Sequence, residues 1–312
     1  MFAHLNTVSG FSLQYGTSKV EELVLQAKKL GFTHLALADH DTLAGAIAFV
    51  TACQKAQIQP ILGVNFKVNQ SRLVLLAKNS LGFASLCRLV SLPNLTNEHI
   101  YKEILENNLV VLLGPHSNFG QAVKAKQFNI AQEILQYWLS LTKENIVIEL
   151  VTHQASKNAF STSNAANMLK IAKANRVKAV LSNAVRYLAP ADAKVADVLD
   201  AIRIKQKINF NRVERNNSQG YLKSPFEMAN LAQEVASAAG ESDIASLIIK
   251  FTETVAESCA LDPVKDLGFG SISLPETEVV LNGKSHGAHR ELVAKCEAGL
   301  ASWGLATKSQ YR

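Results

Sequence analysis

The sequence has few cysteines and no hydrophobic run long enough to cross a membrane. Its four cysteines lie far apart and form no CxxC or CxxH pair, so we expect reduced thiols and exclude a disulfide framework or a zinc site built on cysteine pairs. The longest apolar stretches, such as residues 108–114 and 145–151, have the length of a strand, whereas a spanning helix needs roughly 20 residues. The N-terminus also lacks the pattern of a signal peptide. We therefore expect a cytoplasmic protein with no membrane segment.

Negative charge is scarce in one segment. Between Ser161 and Asn230 there are 12 Lys or Arg residues against 5 Asp or Glu, in a chain of net charge +6. Aromatic residues do not alternate with the basic ones, as they would at a site that stacks bases. The segment suits a polyanion or an acidic protein surface, and a solvated helix end and loop explains it equally well. Its densest part, the basic patch, comprises Arg203, Lys205, Lys207, Arg212 and Arg215.

Short apolar runs alternate with amphipathic helical stretches over the first 190 residues. This alternation is typical of βα units around a parallel sheet or barrel. The whole chain, with 312 residues of which 48% are hydrophobic, can form one or two globular domains. The predicted strands are residues 2–8, 34–39, 60–68, 72–77, 109–113, 146–151 and 179–187. The predicted helices are residues 43–57, 81–92, 130–141, 164–175, 192–205, 225–239, 242–259 and 287–304.

One further helix is predicted from its two ends. Ser18 is a good N-cap, with Glu21 three residues later as in a capping box. Gly31 lies just past the last apolar residue, where a left-handed residue commonly ends a helix. Seven strands with intervening helices fit either an open sheet or a closed barrel, and the periodicity does not decide between them.

Motifs in the opening segment occur in an order that resembles one known family. FAHLNTVSGFSLQYG resembles a strand with an HLHxHS motif followed by an FSLLDG-like turn, and ALADHD and QPILG follow in the same order. This is the order found in the polymerase and histidinol phosphatase (PHP) domain at the N-terminus of the bacterial DNA polymerase III α subunit, a C-family DNA polymerase. The opening segment is therefore similar to that domain.

The resemblance extends over nearly the whole chain. IELVTH, SNAVRYL, YLKS, FG with LP, and EAGL resemble later landmarks of the family. They imply an α/β fold, a distorted (β/α)7 barrel of the PHP type with a helical C-terminal extension. The barrel would occupy residues 1–210, and residues 211–312 would lead into a polymerase core. Because the family continues past the position of Arg312 into that core, we expect this chain not to polymerise DNA by itself.

The resemblance also locates a metal site at the C-terminal ends of the strands. An active PHP domain binds several divalent metals, which need several carboxylate, imidazole or thiolate ligands. Three family positions still carry a plausible ligand: Asp39, His40 and His153. Seven family ligand positions are substituted, by Asn6, Val8, Asn65, Pro115, Ala184, Arg186 and Ala196.

These substitutions indicate a degenerate site that holds no metal cofactor. The alternative is one weakly bound zinc or manganese ion on the three remaining ligands. Arg186 places a permanent positive charge where the family has histidine, and we expect it to form an ion pair with Asp39. Each remaining ligand also has a structural interpretation: Asp39 as the cap of a helix beginning near Thr42, His40 as a polar residue at the barrel mouth, and His153 as a loop residue.

Three functions follow from the resemblance and the charge. The leading one is a non-catalytic scaffold that supports the polymerase core and docks the separate proofreading exonuclease subunit, with DNA reached through the full-length polymerase. The second, an enzymatic alternative, is a metal-dependent phosphoesterase or 3′ to 5′ exonuclease with a reduced metal site. The third is direct DNA binding through the basic patch, which would weaken steeply with salt.

Overall fold

The computed structural model describes residues 2–91, 97–106, 108–142, 144–156, 158–205, 207, 217–272, 278–281 and 284–308. The chain divides into two compact units, Met1–Gly268 and Phe269–Arg312. The separation of a barrel in residues 1–210 from a remainder in residues 211–312 stays a prediction. Among the described residues, no helix combines the length and the apolar character needed to span a membrane.

The first unit contains a six-stranded sheet whose strands follow one another in chain order. β1 pairs with β2, β4 with β5 and β5 with β6 in parallel. The middle residues of these strands are buried, as expected for a sheet that is covered on both faces. The strands are β1 (His34–His40), β2 (Gln59–Val68), β3 (Ser71–Ala77), β4 (Leu109–Leu113), β5 (Ile146–Val151) and β6 (Ala179–Ser182).

β3 departs from the parallel arrangement that the βα alternation predicts. It runs antiparallel to both β2 and β4. Only Asn69 and Gln70 connect β2 to β3, and Asn69 has a positive φ of 56°. A connection of two residues makes a hairpin, whereas a parallel crossover needs a dozen residues or more. The short gap between the two predicted strands therefore already excluded a helical crossover at this point.

The N-terminal segment closes the sheet. His4 forms a parallel bridge with Leu35 of β1, and Thr7 forms one with Val185, which follows β6. The Val8 N–H donates to the Val185 carbonyl at 3.0 Å, and the Ala38 N–H donates to the Thr7 carbonyl at 2.8 Å. The sheet is thus a distorted barrel, and the prediction of an α/β fold of the PHP barrel type is confirmed. The predicted strands at 2–8 and 179–187 are irregular, with isolated bridges in place of continuous pairing.

Helices cover the barrel and fill the sequence between its strands. The predicted helices are present with their ends moved by a few residues, and two short helices, α4 and α5, were not predicted. The second unit contains the hairpin of β7 (Glu278–Leu281) and β8 (Lys284–Gly287), and α11. The helices are α1 (Val20–Lys29), α2 (Ala46–Ala56), α3 (Ser80–Ser91), α4 (Asn97–Leu105), α5 (Asn118–Lys124), α6 (Phe128–Leu141), α7 (Thr162–Ala174), α8 (Ala193–Arg203), α9 (Pro225–Ala238), α10 (Ala245–Ser258) and α11 (Ala288–Ser302).

The start of α1 corrects the predicted cap. The N-cap is Lys19, whose N–H donates to the Glu22 carboxylate at 3.3 Å. Ser18 is buried, and its carbonyl accepts the Gly10 N–H at 2.8 Å, so it holds the preceding loop and does not cap the helix. Gly31 has a φ of +80° just past the helix end, as predicted.

Helix α10 closes the end of the barrel where the strands begin. Its Val255 and Ala256 pack with inward-facing strand residues such as Val180. The Leu181 N–H of β6 donates to the Thr252 hydroxyl at 2.9 Å. Because this end is closed by packed side chains, the opposite end, where the strands finish, is the one that can hold a site.

Candidate functional site

A cavity of about 290 Å³ lies at the C-terminal ends of the strands. Most positions that the family motifs assign to metal ligands line it, although they come from elements far apart in the chain. A second cavity of about 280 Å³ adjoins it, since both share Tyr15, His116, Phe160 and Ala184. The motif positions that line the first cavity are Asn6, Val8, His40, Asn65, Pro115 and Ala184.

Asp39 is buried at the end of β1 and is satisfied by hydroxyl and backbone donors. Its carboxylate accepts the Ser9 N–H at 2.7 Å, the Ser9 hydroxyl at 2.8 Å and the Ser12 hydroxyl at 2.6 Å. Burial raises the pKa of Asp39, and these hydrogen bonds oppose the rise. Asp39 does not cap α2, which begins at Ala46 after the N-cap Gly45. Its carboxylate instead fixes the loop that follows the N-terminal segment.

His40 lies at the cavity with its ring stacked on Tyr15, and the ring centroids are 4.1 Å apart. Burial, followed by the positive charges of Arg72 and Arg186, lowers the pKa of His40 to about 3. The imidazole is therefore neutral at physiological pH. His40 thus sits in a positive electrostatic field, which disfavours a cation beside it.

His153 lies in the adjoining cavity and is tied to the backbone. Its Nε2 atom donates to the Asn183 carbonyl at 2.8 Å, and its ring lies 4.6 Å from the Phe160 ring. Burial lowers the pKa of His153 to about 4, although the hydrogen bond to Asn183 opposes this. His153 therefore lines a different cavity from His40. Across the described ranges, no three His, Cys, Asp or Glu side chains form a group that could hold a metal ion.

Arg186 pairs with Asp200 of α8, and the predicted pairing with Asp39 is wrong. Two nitrogens of the guanidinium donate to the two Asp200 carboxylate oxygens, each at 2.8 Å, and its Nε donates to the Tyr15 carbonyl at 2.8 Å. Both charged side chains are buried. The physical reason is that Asp39 is already satisfied by Ser9 and Ser12, whereas Asp200 would otherwise be a buried carboxylate that only Arg203 neutralises.

Asp200, the carboxylate that pairs with Arg186, comes from the buried face of α8. Ala196, which the motif resemblance assigns to a histidine position, is fully buried, and its carbonyl accepts a hydrogen bond from the Arg186 guanidinium at 3.3 Å. Asp200 lies one turn later on the same face. Burial alone would raise the pKa of Asp200, but its hydrogen bonds to Arg186 and Arg203 outweigh this and lower it. The sequence carried a signal for the burial of Asp200, because Asp197 and Asp200 follow Ala193 and Ala196 by four residues each and so lie on the same buried face of the helix.

Glu149 is a cavity residue that the sequence analysis missed. It lies in the middle of β5, is 2% exposed, and accepts the Asn6 side-chain N–H at 2.9 Å. Burial raises its pKa. A side chain at Gly114 would come within 2.1 Å of a Glu149 oxygen, so this close approach requires glycine. The sequence did carry a signal for it: Glu149 is the one carboxylate in the apolar run of β5, and a carboxylate is rarely buried unless it has a partner.

The rim of the cavity is basic. Arg72 pairs with Asp41 at 2.8 Å and donates to the Asn65 carbonyl at 2.7 Å. Lys67 and Arg203 also line the cavity, so Arg203 joins the basic patch to this rim. Lys205 and Lys207 are exposed. Arg212 and Arg215, the other members of the predicted patch, lie outside the described residues.

The lining does not fit the cluster of metals that a PHP domain binds. The positions expected to supply anionic or imidazole ligands present amides at Asn6 and Asn65, apolar groups at Val8 and Ala184, and a ring without a donor atom at Pro115. Several cations need several anionic or imidazole ligands to offset their repulsion. The one carboxylate of this lining that lies on a motif strand, Glu149, is already bonded to Asn6.

Residues 4–153 match the model of the PHP domain. Within this segment the chain is therefore similar to the PHP domain family. Its curated homologues carry the name DNA polymerase III subunit alpha. That of Borreliella burgdorferi is 26% identical over 314 residues, covering 93% of this chain and 26% of the relative. That of Helicobacter pylori is 24% identical over 292 residues, covering 84% of this chain and 23% of the relative.

The chain spans about a quarter of the length of these curated relatives. Among solved structures, it is similar to a protein from Bifidobacterium adolescentis that was inferred to be a metal-dependent phosphoesterase. The TM-score is 0.41 at 13% sequence identity, with 76% of this chain and 96% of the other covered.

Proposed function

We propose that this chain is the N-terminal PHP domain of a replicative DNA polymerase III α subunit and acts there as a non-catalytic scaffold. It supports the polymerase core and docks the proofreading exonuclease subunit, while DNA is reached through the full-length polymerase in the cytoplasm. The observation that carries this proposal is the lining of the cavity, where Asn6, Val8, Asn65, Pro115 and Ala184 occupy the family's ligand positions.

The internal charge balance supports the same proposal. Hydrogen bonds from Ser9 and Ser12 stabilise the Asp39 carboxylate, and the guanidinium of Arg186 neutralises Asp200. A buried carboxylate is stable only when it is paired or hydrogen-bonded. Because the protein supplies these partners itself, the barrel can keep its shape without a divalent cation. This is what a scaffold requires once catalysis has been lost.

The scaffold proposal predicts a protein partner in preference to DNA. A protein interface adds apolar burial that salt does not screen, whereas a basic patch alone binds phosphates in a salt-sensitive way. We would titrate the purified chain with a proofreading exonuclease subunit and, separately, with single-stranded DNA, at low and at physiological salt. The expected result is exonuclease-subunit binding that persists at physiological salt and DNA binding that is lost.

A matched variant separates the two partners. The double variant Lys205→Ala/Lys207→Ala removes two exposed cations of the patch, so it should weaken DNA binding and reduce the salt slope by roughly 0.7 for each lost phosphate contact. It should leave exonuclease-subunit binding unchanged. DNA binding that persists at physiological salt, with no detectable binding of the exonuclease subunit, would overturn the proposal. Phosphoesterase activity that chelators abolish would favour the enzymatic alternative.

A further inference from the structure

A separate groove lies at the opposite end of β6 from the two cavities described above. It has a volume of about 230 Å³ and lies between α7, the turn that follows α7, and α10. The turn reaches the groove at Lys178 and β6 begins there at Ala179, whereas Ala184, which lines the cavity, follows the other end of the strand. The groove therefore has no part in the chemistry of the family's metal site.

The floor and one wall of the groove are apolar. Leu169 of α7 and Ile248 of α10 are buried beneath it, while Leu247 is 42% exposed and Phe251 is partly buried. Ile248 faces the barrel together with Thr252 and Val255. Leu247 and Phe251, four residues apart on the same helix, lie beside that face and line the groove. Apolar surface in a concave site is the usual feature of a binding surface.

The rim of the groove is cationic. Lys173, Arg176 and Lys178 line it within six consecutive residues. Lys173 forms an ion pair with Glu241. The Arg176 and Lys178 side chains have no carboxylate partner among the residues that the structure describes. Charge near the rim is therefore positive overall, beside a floor that water solvates poorly.

The backbone at Arg176 supplies a useful variant. α7 ends at Ala174, its C-cap is Asn175, and Arg176 follows with a φ of +55°. Glycine is favoured at this position because a side chain costs about 1 kcal/mol in the left-handed region. Lys126, at the corresponding position after α5, has a φ of +60°. The conformation itself assigns no function, but glycine at either position removes a cation without straining the fold.

We propose that the groove docks an acidic segment of a protein partner, which inserts one large apolar side chain between α7 and α10 and places carboxylates against Arg176 and Lys178. Charge complementarity selects this occupant. A nucleic acid would satisfy the cations and leave Leu247 and Phe251 uncovered. A second copy of the chain in a symmetric contact would bring the same cations together. The groove is independent of the scaffold function proposed above, so either proposal can fail alone.

The test is a peptide selection on the whole chain followed by titration. Short random peptides displayed on phage are selected against the unchanged protein, and the most enriched peptide is then titrated by fluorescence anisotropy. Enriched peptides should carry Asp or Glu beside Leu, Phe or Trp. Arg176→Gly and Leu247→Gln should each weaken binding by about tenfold, equivalent to about 1.4 kcal/mol.

Two controls and a folding check complete this test. Lys126→Gly repeats the backbone change outside the groove, and Leu81→Gln repeats the apolar change at a leucine that is 61% exposed; both should bind within about twofold of the unchanged chain. Arg176→Gly should melt at or above the unchanged chain. A selection without acidic enrichment would overturn the proposal, as would groove variants that both bind the peptide as tightly as the unchanged chain does. A dimer that Leu247→Gln dissolves, or displacement of the peptide by single-stranded DNA, would also overturn it.

Discussion

Arg186 and Asp200 form a two-pronged ion pair beneath the barrel mouth, with both hydrogen bonds at 2.8 Å. Arg186 is 7% exposed and Asp200 is 2% exposed. Forked pairs of this kind are strong and directional, but desolvation of both charges offsets much of their attraction. The intact pair therefore adds little net stability, but loss of one partner destabilises the domain because it leaves a buried charge uncompensated.

Removing one member of this pair should destabilise the domain more than removing both. Arg186→Met should lower the free energy of unfolding by about 3 kcal/mol, at the lower end of the range for broken buried pairs because Arg203 still contacts Asp200. Arg186→Met/Asp200→Leu should cost less than Arg186→Met or Asp200→Leu alone, because the double variant leaves no buried charge uncompensated. Urea unfolding measures all three. Arg88→Met, which removes a more solvent-exposed arginine from its pair with Glu103, should change stability by less than about 1 kcal/mol. Additive single effects would contradict the pairing.

The unchanged chain should carry no stoichiometric zinc or manganese, because Asn6, Val8, Asn65 and Ala184 supply no anionic or imidazole ligand to the cavity. Elemental analysis after gentle purification measures this, and two or more metals per chain would refute it. A variant with the family's ligands restored should bind metal if the backbone has kept its geometry. A folded restored variant that stays free of metal would indicate that the backbone has moved. The restoring substitutions are Asn6→His, Val8→His, Asn65→Glu, Ala184→Asp and Arg186→His.

Glu149→Gln should stabilise the protein, and the gain should grow with pH. Burial raises the folded-state pKa of Glu149 above its ordinary value of 4.5. The charged form is therefore penalised in the folded state: the penalty is absent below the unfolded pKa and increases as pH rises through the folded pKa. Glutamine still accepts the Asn6 N–H and carries no charge. Urea unfolding at pH 5 and pH 8 measures the difference, with Glu133→Gln on an exposed helix face as the control. A gain that shrinks with rising pH would contradict this reasoning.

Ala184→Gly should raise the free energy of unfolding by about 0.5–1 kcal/mol. Ala184 has a φ of +43°, in the left-handed region where a side chain is strained and glycine is not. Ala229→Gly, at an exposed position inside α9, should change stability in the opposite direction by about 1 kcal/mol. Thermal and urea unfolding of both variants measure whether Ala184→Gly stabilises the protein while Ala229→Gly destabilises it. Equal effects of the two substitutions would show that Ala184 is not strained.

Buried strands and motif order were the predictable parts of this fold. β4 and β5 begin and end where the predicted strands 109–113 and 146–151 do, because continuous burial favours apolar residues along the strand, with Glu149 as the exception in β5. The residues assigned from motifs, such as Asn6 and Asn65, lie around one cavity because each comes from or lies beside a strand of the same barrel. A resemblance in motif order thus carried spatial information.

Partner choice was the part that the sequence could not give. Asp39 and Asp200 were both available to Arg186, and the choice depends on the hydroxyls of Ser9 and Ser12, which reach Asp39 only in the folded loop. Glu149 was passed over for a related reason: its role depends on Asn6, which is 143 residues away in the chain. Such contacts are set by tertiary packing and leave only a weak local signal.

The bridge between Thr7 and Val185 gives the barrel a fixed order of assembly. The segment around Thr7 is synthesised before Val185, which lies about 180 residues further along the chain, so its second neighbour in the sheet does not yet exist when it leaves the ribosome. Until Val185 follows, one edge of the nascent sheet stays open, and pairing across so long a loop is slow. The growing chain should therefore be most prone to aggregation, and most dependent on chaperones, before Val185 emerges.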